Sequence, residues 1–190
     1  MNIVATRAAE GFPRRSFTVA EIRRMVEAGI IAEDENFELI DGEVVPMSPK
    51  GNQHEVIKAA LTEVLAARKP HDLRLGVETS LYLDERTFVE PDLCLYPKRI
   101  LPEDVRGGDV LLTVEVAASS MSYDRGLKAQ IYARHGVHEL WVVDAGTRQT
   151  WLHRGPNPDG QWTSIERIGA GTPISPAALT DITIRMSDLD

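Results

Sequence analysis

The stretch LLTVEVAASSMSYDRGLKAQIYARHGVHELWVVD, residues 111–144, decides the fold class. With Asp109 and Val110 ahead of it, its first part (109–117) is a continuous apolar run broken by one acid, Glu115. A run without polar alternation is the pattern of a central strand buried on both faces. Residues 119–136 then change to helical spacing, with Ser120 or Ser122 as the cap and Gly136 as the stop. Residues 137–145, VHELWVVDA, return to a buried-strand pattern. Strand, helix and strand in this order belong to the mixed α/β class.

Working outward, VEPDLCLY (89–96) and LRLGVETSLYL (73–83) are both strand-like. HEVIKAALTEVLAARK (54–69) is the clearest helix. Val56, Ile57, Ala60, Leu61, Val64 and Leu65 form its apolar face, and Pro70 stops it. FELIDGEVVPM (37–47) carries two short alternating runs around Asp41-Gly42, a tight-hairpin signal. A first helix is expected in 16–31, capped by Ser16 or Thr18. Downstream, TRQTWLHR and QWTSIERI flank the turn GPNPDG as a closing hairpin. The expected organisation is a flexible N-terminal arm (1–15), one domain (16–170) and a peripheral C-terminal tail (171–190).

The 190 residues are 43% hydrophobic and 26% charged, ordinary for a globular protein with a real core. One cysteine, Cys94, excludes an intramolecular disulfide and a cysteine metal cluster. There is no apolar run long enough to span a bilayer and no secretory-signal pattern in the first fifteen residues, so a cytoplasmic protein without membrane contact is the expectation. The net charge of −8 argues mildly against strong nucleic-acid binding by a monomer, although it does not say where the charges sit. A carboxylate-rich metal site pushes the total in the same direction.

Two acids, Asp92 and Glu115, interrupt two buried strands. A carboxylate in such a place costs several kcal/mol, about what one unpaired buried charge costs, unless it is paired or bound to a cation. A divalent metal relieves both acids at once, and Mg²⁺ needs only one or two carboxylates from a protein. Bound there, it would polarise a phosphoryl oxygen or generate hydroxide from water. Asp124, Lys128 and Tyr132 share one face of the following helix, and where its N-terminal half packs beside the Glu115 strand Lys128 can reach the two acids. The plainer alternatives are ion pairs: Asp92 with Arg99 or Arg125, Glu115 with a lysine across the sheet, Lys128 with Asp124. Glu38 and His54 are weaker candidates on residue type alone, and Cys94 suits a small buried hydrophobe.

The segments FELIDGEVVPMSP, the His54 helix, VEPDLCLY and residues 111–144, in this order, resemble the Uma2 family. That family is grouped with the PD-(D/E)XK nuclease superfamily under the label restriction endonuclease. The resemblance covers roughly residues 16–155. It implies a restriction-endonuclease-like core, a central mixed β-sheet flanked by helices. It places the PD element on Pro91-Asp92 and the second acid on Glu115. The superfamily lysine, two positions after that acid, is Ala117 here, and the resemblance moves its role to Lys128, with Tyr132 following. Glu38 becomes a third metal ligand and His54 a residue that touches substrate. The family's SPST after the second acid is AASS (117–120) in this chain.

The expectation is therefore a Mg²⁺-dependent endodeoxyribonuclease, with Mn²⁺ able to substitute, that acts on DNA and forms a homodimer by analogy. Asp92, Glu115, Lys128 and Tyr132 would be catalytic. The rivals are a catalytically silent binding or regulatory module on the same fold, and a plain interaction domain whose buried acids form internal salt bridges.

Overall fold

Helix α1 (Val19–Glu27) begins where the sequence places a cap. Thr18 is extended and accepts from the Glu21 amide, while Glu21 reaches back to the Thr18 amide, so two orphan donors of the first turn are satisfied reciprocally. The computed structural model describes residues 15–47 and 49–189. The expected N-terminal arm, residues 1–15, lies outside them apart from Arg15.

The described residues pack as two compact units, one from 15–47 and 84–88, the other from 49–83 and 89–189. The single domain read over 16–170 is thus divided, because a short excursion of the chain returns to the first hairpin. In this first unit β1 (Phe37–Ile40) and β2 (Glu43–Pro46) pair antiparallel, and Leu39 faces Phe88 of β5 (Thr87–Val89). The turn is built as the Asp-Gly signal predicts: Asp41 and Gly42 have φ of 50° and 84°. A Cβ on Gly42 would lie 1.9 Å from the Ser16 hydroxyl oxygen, so only glycine fits.

The second unit is built on a six-stranded mixed sheet of order β10-β9-β8-β7-β6-β3. Its strands are β3 (Leu73–Val77), β6 (Leu93–Pro97), β7 (Leu112–Ala117), β8 (Glu139–Asp144), β9 (Thr150–Pro156) and β10 (Trp162–Ile168). β4 (Leu81–Asp84) follows β3 in the chain. Only β7 and β8 are parallel, Val114 beside Trp141, and a parallel pair needs a crossover. Residues 121–134 supply it in three pieces: α3 (Met121–Tyr123), a π-helical turn (Asp124–Lys128) and α4 (Ala129–Arg134). The expected continuous helix is therefore interrupted. Ser120 is its cap residue, but the hydroxyl donates to the Asp124 carboxylate at 2.5 Å instead of accepting from the backbone.

Helix α2 (Asn52–Arg68) buries Ile57, Leu61 and Leu65 against Leu93, Leu95, Val114, Val116, Trp141 and Val143. Each such side chain contributes about 1.5–3 kcal/mol. Val56, placed on the apolar face by spacing, is 47% exposed. The tail corrects the sequence reading. Ile174, Ile182, Ile184, Met186 and Leu189 are buried in this same core, and Ile174 bridges Ile184. Its prolines and turns hide the signal, since scattered apolar residues with no period bury as well as periodic ones. Among the described residues no helix is long and apolar enough to cross a membrane.

Candidate active site

Strand alternation decides where the acids of β6 and β7 point. Val114 and Val116 enter the α2 core, so Glu115 faces the opposite side of the sheet. The Leu93–Val114 pair, continued by one residue on each strand, sets Asp92 opposite Glu115. Residues opposed in this way bring their side chains close, and here both are carboxylates with 4% of their surface exposed.

Asp92 is held on both oxygens. Oδ2 accepts from the Val116 amide at 2.7 Å and lies 3.0 Å from Nε2 of His54, and Oδ1 lies 3.0 Å from Nζ of Lys50. Burial by itself would raise the carboxyl pKa. The hydrogen bond and charge of His54, the Lys50 charge and the Val116 amide together outweigh it and hold Asp92 below the usual range. Glu115 meets the crossover segment. Lys128 places Nζ 3.0 Å from Oε1, and the Tyr132 hydroxyl donates to that oxygen at 2.5 Å. Lys128 also lies 3.5 Å from the Glu90 carbonyl, so it spans both acid-bearing segments. Asp124, Lys128 and Tyr132 are all buried, as a shared helix face requires. The π turn carries Lys128 at its last residue, the kind of local unwinding that recurs at functional sites.

Four of the sequence-predicted residues thus meet in one place, Asp92, Glu115, Lys128 and Tyr132, and His54 joins them from the first turn of α2. His54 is buried on Asp92, not on the surface, and its Nδ1 lies 3.1 Å from Glu55. Tyr132 is fully buried, so it fixes Glu115 and is shielded from solvent. Neither Arg99 nor Arg125 takes Asp92. Glu90 accepts from Ser80 at 2.8 Å. Glu38 is buried on β1 of the first unit.

Sequence reasoning missed a charged network beside Asp92. Glu78 accepts from Lys50 and, at 2.6 Å, from Lys58, which also reaches Glu55 at 2.7 Å. The bonds from Lys50 and Lys58 lower the Glu78 pKa, and these pairings raise both lysines despite the cost of burying them. Glu78 has φ of 47°, rare for a non-glycine residue, and its amide donates to the Asp92 carbonyl. The one available signal was that Glu78 is the single acid in the strand-like run 73–83. Lys50 stands between Pro49 and Gly51 in a stretch with no period, so nothing marked it.

Both central acids already hold cations, in the form of ammonium groups, and carboxylate oxygens are the hard donors that Mg²⁺ takes. The donor set therefore fits a two-carboxylate metal site. Among the described residues no group of three or more His, Cys, Asp or Glu side chains is placed to hold a metal ion, so the protein's share would be two carboxylates. Cys94 lies two residues from Asp92 and is not part of this chemistry. Burial and the Glu115 charge, only partly opposed by the Gly76 amide, push its thiol up to about 12.

The model of the Uma2 family, described as "Putative restriction endonuclease", matches residues 19–187. The chain belongs to the Uma2 family. A Uma2 assignment agrees with the residues that carried the resemblance and extends it through the tail. The chain also superposes on a crystal structure described as "a putative nuclease belonging to DUF820", from Anabaena variabilis ATCC 29413, with a TM-score of 0.71 at 16% identity. That match covers 91% of this chain and 97% of the other, and it shows a shared fold. No curated protein matches the chain in sequence. The expected fold class stands: a mixed α/β, restriction-endonuclease-like core.

Proposed function

We propose that this Uma2 protein is a metal-dependent nuclease that hydrolyses phosphodiester bonds in DNA. The observation that carries the reading is the register-opposed pair of buried carboxylates, Asp92 and Glu115, with a buried lysine and a tyrosine fixed on the second. Asp92 and Glu115 would hold Mg²⁺, with Mn²⁺ able to replace it. The ion would supply Lewis-acid polarisation of the phosphate and lower the pKa of a bound water.

The chain's own residues have distinct tasks in this reading. His54 and the Val116 amide hold Asp92 ionised and in one orientation. Tyr132 holds the Glu115 carboxylate in one orientation. Lys128 presents a buried ammonium that orients an attacking water or offsets the negative charge developing at phosphorus. By analogy the protein works as a cytoplasmic homodimer, one site for each strand. A second reading, a nuclease-fold module kept for binding, is favoured by the ammonium groups that already neutralise both acids.

The test is cleavage of supercoiled plasmid with Mg²⁺ and, separately, Mn²⁺. Wild type should nick or linearise it, and identically purified Asp92→Asn and Lys128→Ala should lose about a hundredfold or more. Equal cutting by all three would sink the assignment. Cutting by none, on single-stranded substrates too, would favour the binding module.

A further inference from the structure

We propose that Lys50 is a built-in competitor for the metal: its ammonium occupies Asp92 and must leave before a divalent cation can load there. The inference rests on the metal-site reading above. Two lysines touch the acid pair, and they differ in kind. Lys128 is buried along its whole side chain, 5% exposed, and is part of the crossover segment. Lys50 comes from the stretch ahead of α2 and is 24% exposed, while Asp92 beneath it is 5% exposed. Its ammonium reaches in from solvent and can return to it.

The geometry makes the competition direct. His54 and Val116 share Oδ2 of Asp92, and Lys50 sits on Oδ1. A divalent ion that used Oδ1 would press two like charges onto one oxygen. Lys50 also has a second anchor, Glu78, so withdrawal from Asp92 costs it one ion pair and not two. Glu78 is shared with Lys58, which does not touch Asp92. The consequence is a site kept closed to metal by a tethered cation, and loaded more readily when an incoming polyanion draws the ammonium away.

The experiment is a Mn²⁺ titration of the intact protein, read from the paramagnetic resonance signal of the free ion, without nucleic acid. Lys50→Met should bind Mn²⁺ about tenfold tighter than wild type. Lys58→Met removes the same charge nearby and should change affinity less than about threefold. Lys50→Met combined with Asp92→Asn should bind no tighter than Asp92→Asn alone. Circular dichroism confirms that each variant is folded. If Lys50→Met binds equally or more weakly while wild-type binding still depends on Asp92, the competitor role is wrong and the metal site survives. An equal gain in Lys58→Met would also overturn it, since bulk charge would then explain the effect. If neither wild type nor Lys50→Met shows binding that depends on Asp92, both readings fall together.

Discussion

Two strands of the same sheet each carry a buried glutamate, and the two are held in different ways. Glu139, on β8, is completely buried. It accepts from Trp141 Nε1 and Arg154 Nε at 2.8 Å on one oxygen, and from the Ala177 amide at 2.6 Å on the other. An amide and an indole are rigid donors, so this carboxylate clasps the C-terminal segment to the sheet. Glu115, on the adjacent strand, is held by the tip of a lysine and by a tyrosine hydroxyl, and it faces a second acid. A clasp has no reason to set two carboxylates opposite each other. A site that handles cations does. The signature "acid in an apolar strand" is therefore shared by a clasp and by one half of an opposed pair, and only the partners tell them apart.

The largest expected effect separates the two on stability. Glu139→Leu strands the Trp141, Arg154 and Ala177 donors and should cost about 3–5 kcal/mol in urea unfolding. Its folded fraction should still cut plasmid at low temperature. An inactive but well-folded Glu139→Leu would erase the distinction. A smaller effect sharpens it. Glu115→Gln alone leaves the Lys128 ammonium buried beside a neutral amide, at a cost of about 3 kcal/mol. Glu115→Gln with Lys128→Met removes the whole pair and should return to within about 1 kcal/mol of wild type while abolishing cleavage. Persistent instability of that double variant would mean the pair is a clasp like Glu139.

The smallest effect concerns the buried thiol of Cys94, two residues beyond Asp92. With its pKa pushed up to about 12, Cys94 is neutral throughout the physiological range. It should resist alkylation at pH 8 in the folded protein and react once unfolded in urea, as mass spectrometry would show. Ready labelling of the native form would mean that the sheet beside Glu115 opens to solvent and is no rigid platform.

How much was legible follows from the range of each signal. The Asp41-Gly42 turn, a helix cap at Ser16 or Thr18 and the buried strands 112–117 and 139–144 are local, so residue types alone announced them; the structure chose Thr18, paired with Glu21. Asp92 and Glu115 stood out because a charge in an apolar run needs a reason. Lys128 and Tyr132 followed from helical spacing. The tail escaped because Ile174, Ile182, Ile184 and Met186 are buried by contacts with residues far away in the chain. Lys50 and Glu78 escaped for the same reason, since their meaning lies in a contact with Asp92 and with each other.

By itself, then, the sequence determined the α/β class, the elements of the sheet and that Asp92 and Glu115 are anomalous, because periodicity and the cost of burying charge act within a short stretch of chain. Tertiary structure decided that Glu139, which the sequence reading does not single out, is a clasp, and that Asp92 and Glu115 form a pair. It also decided that a lysine from an unremarkable loop sits on Asp92. Those outcomes depend on strand register and on the return of distant segments, and no local pattern encodes either.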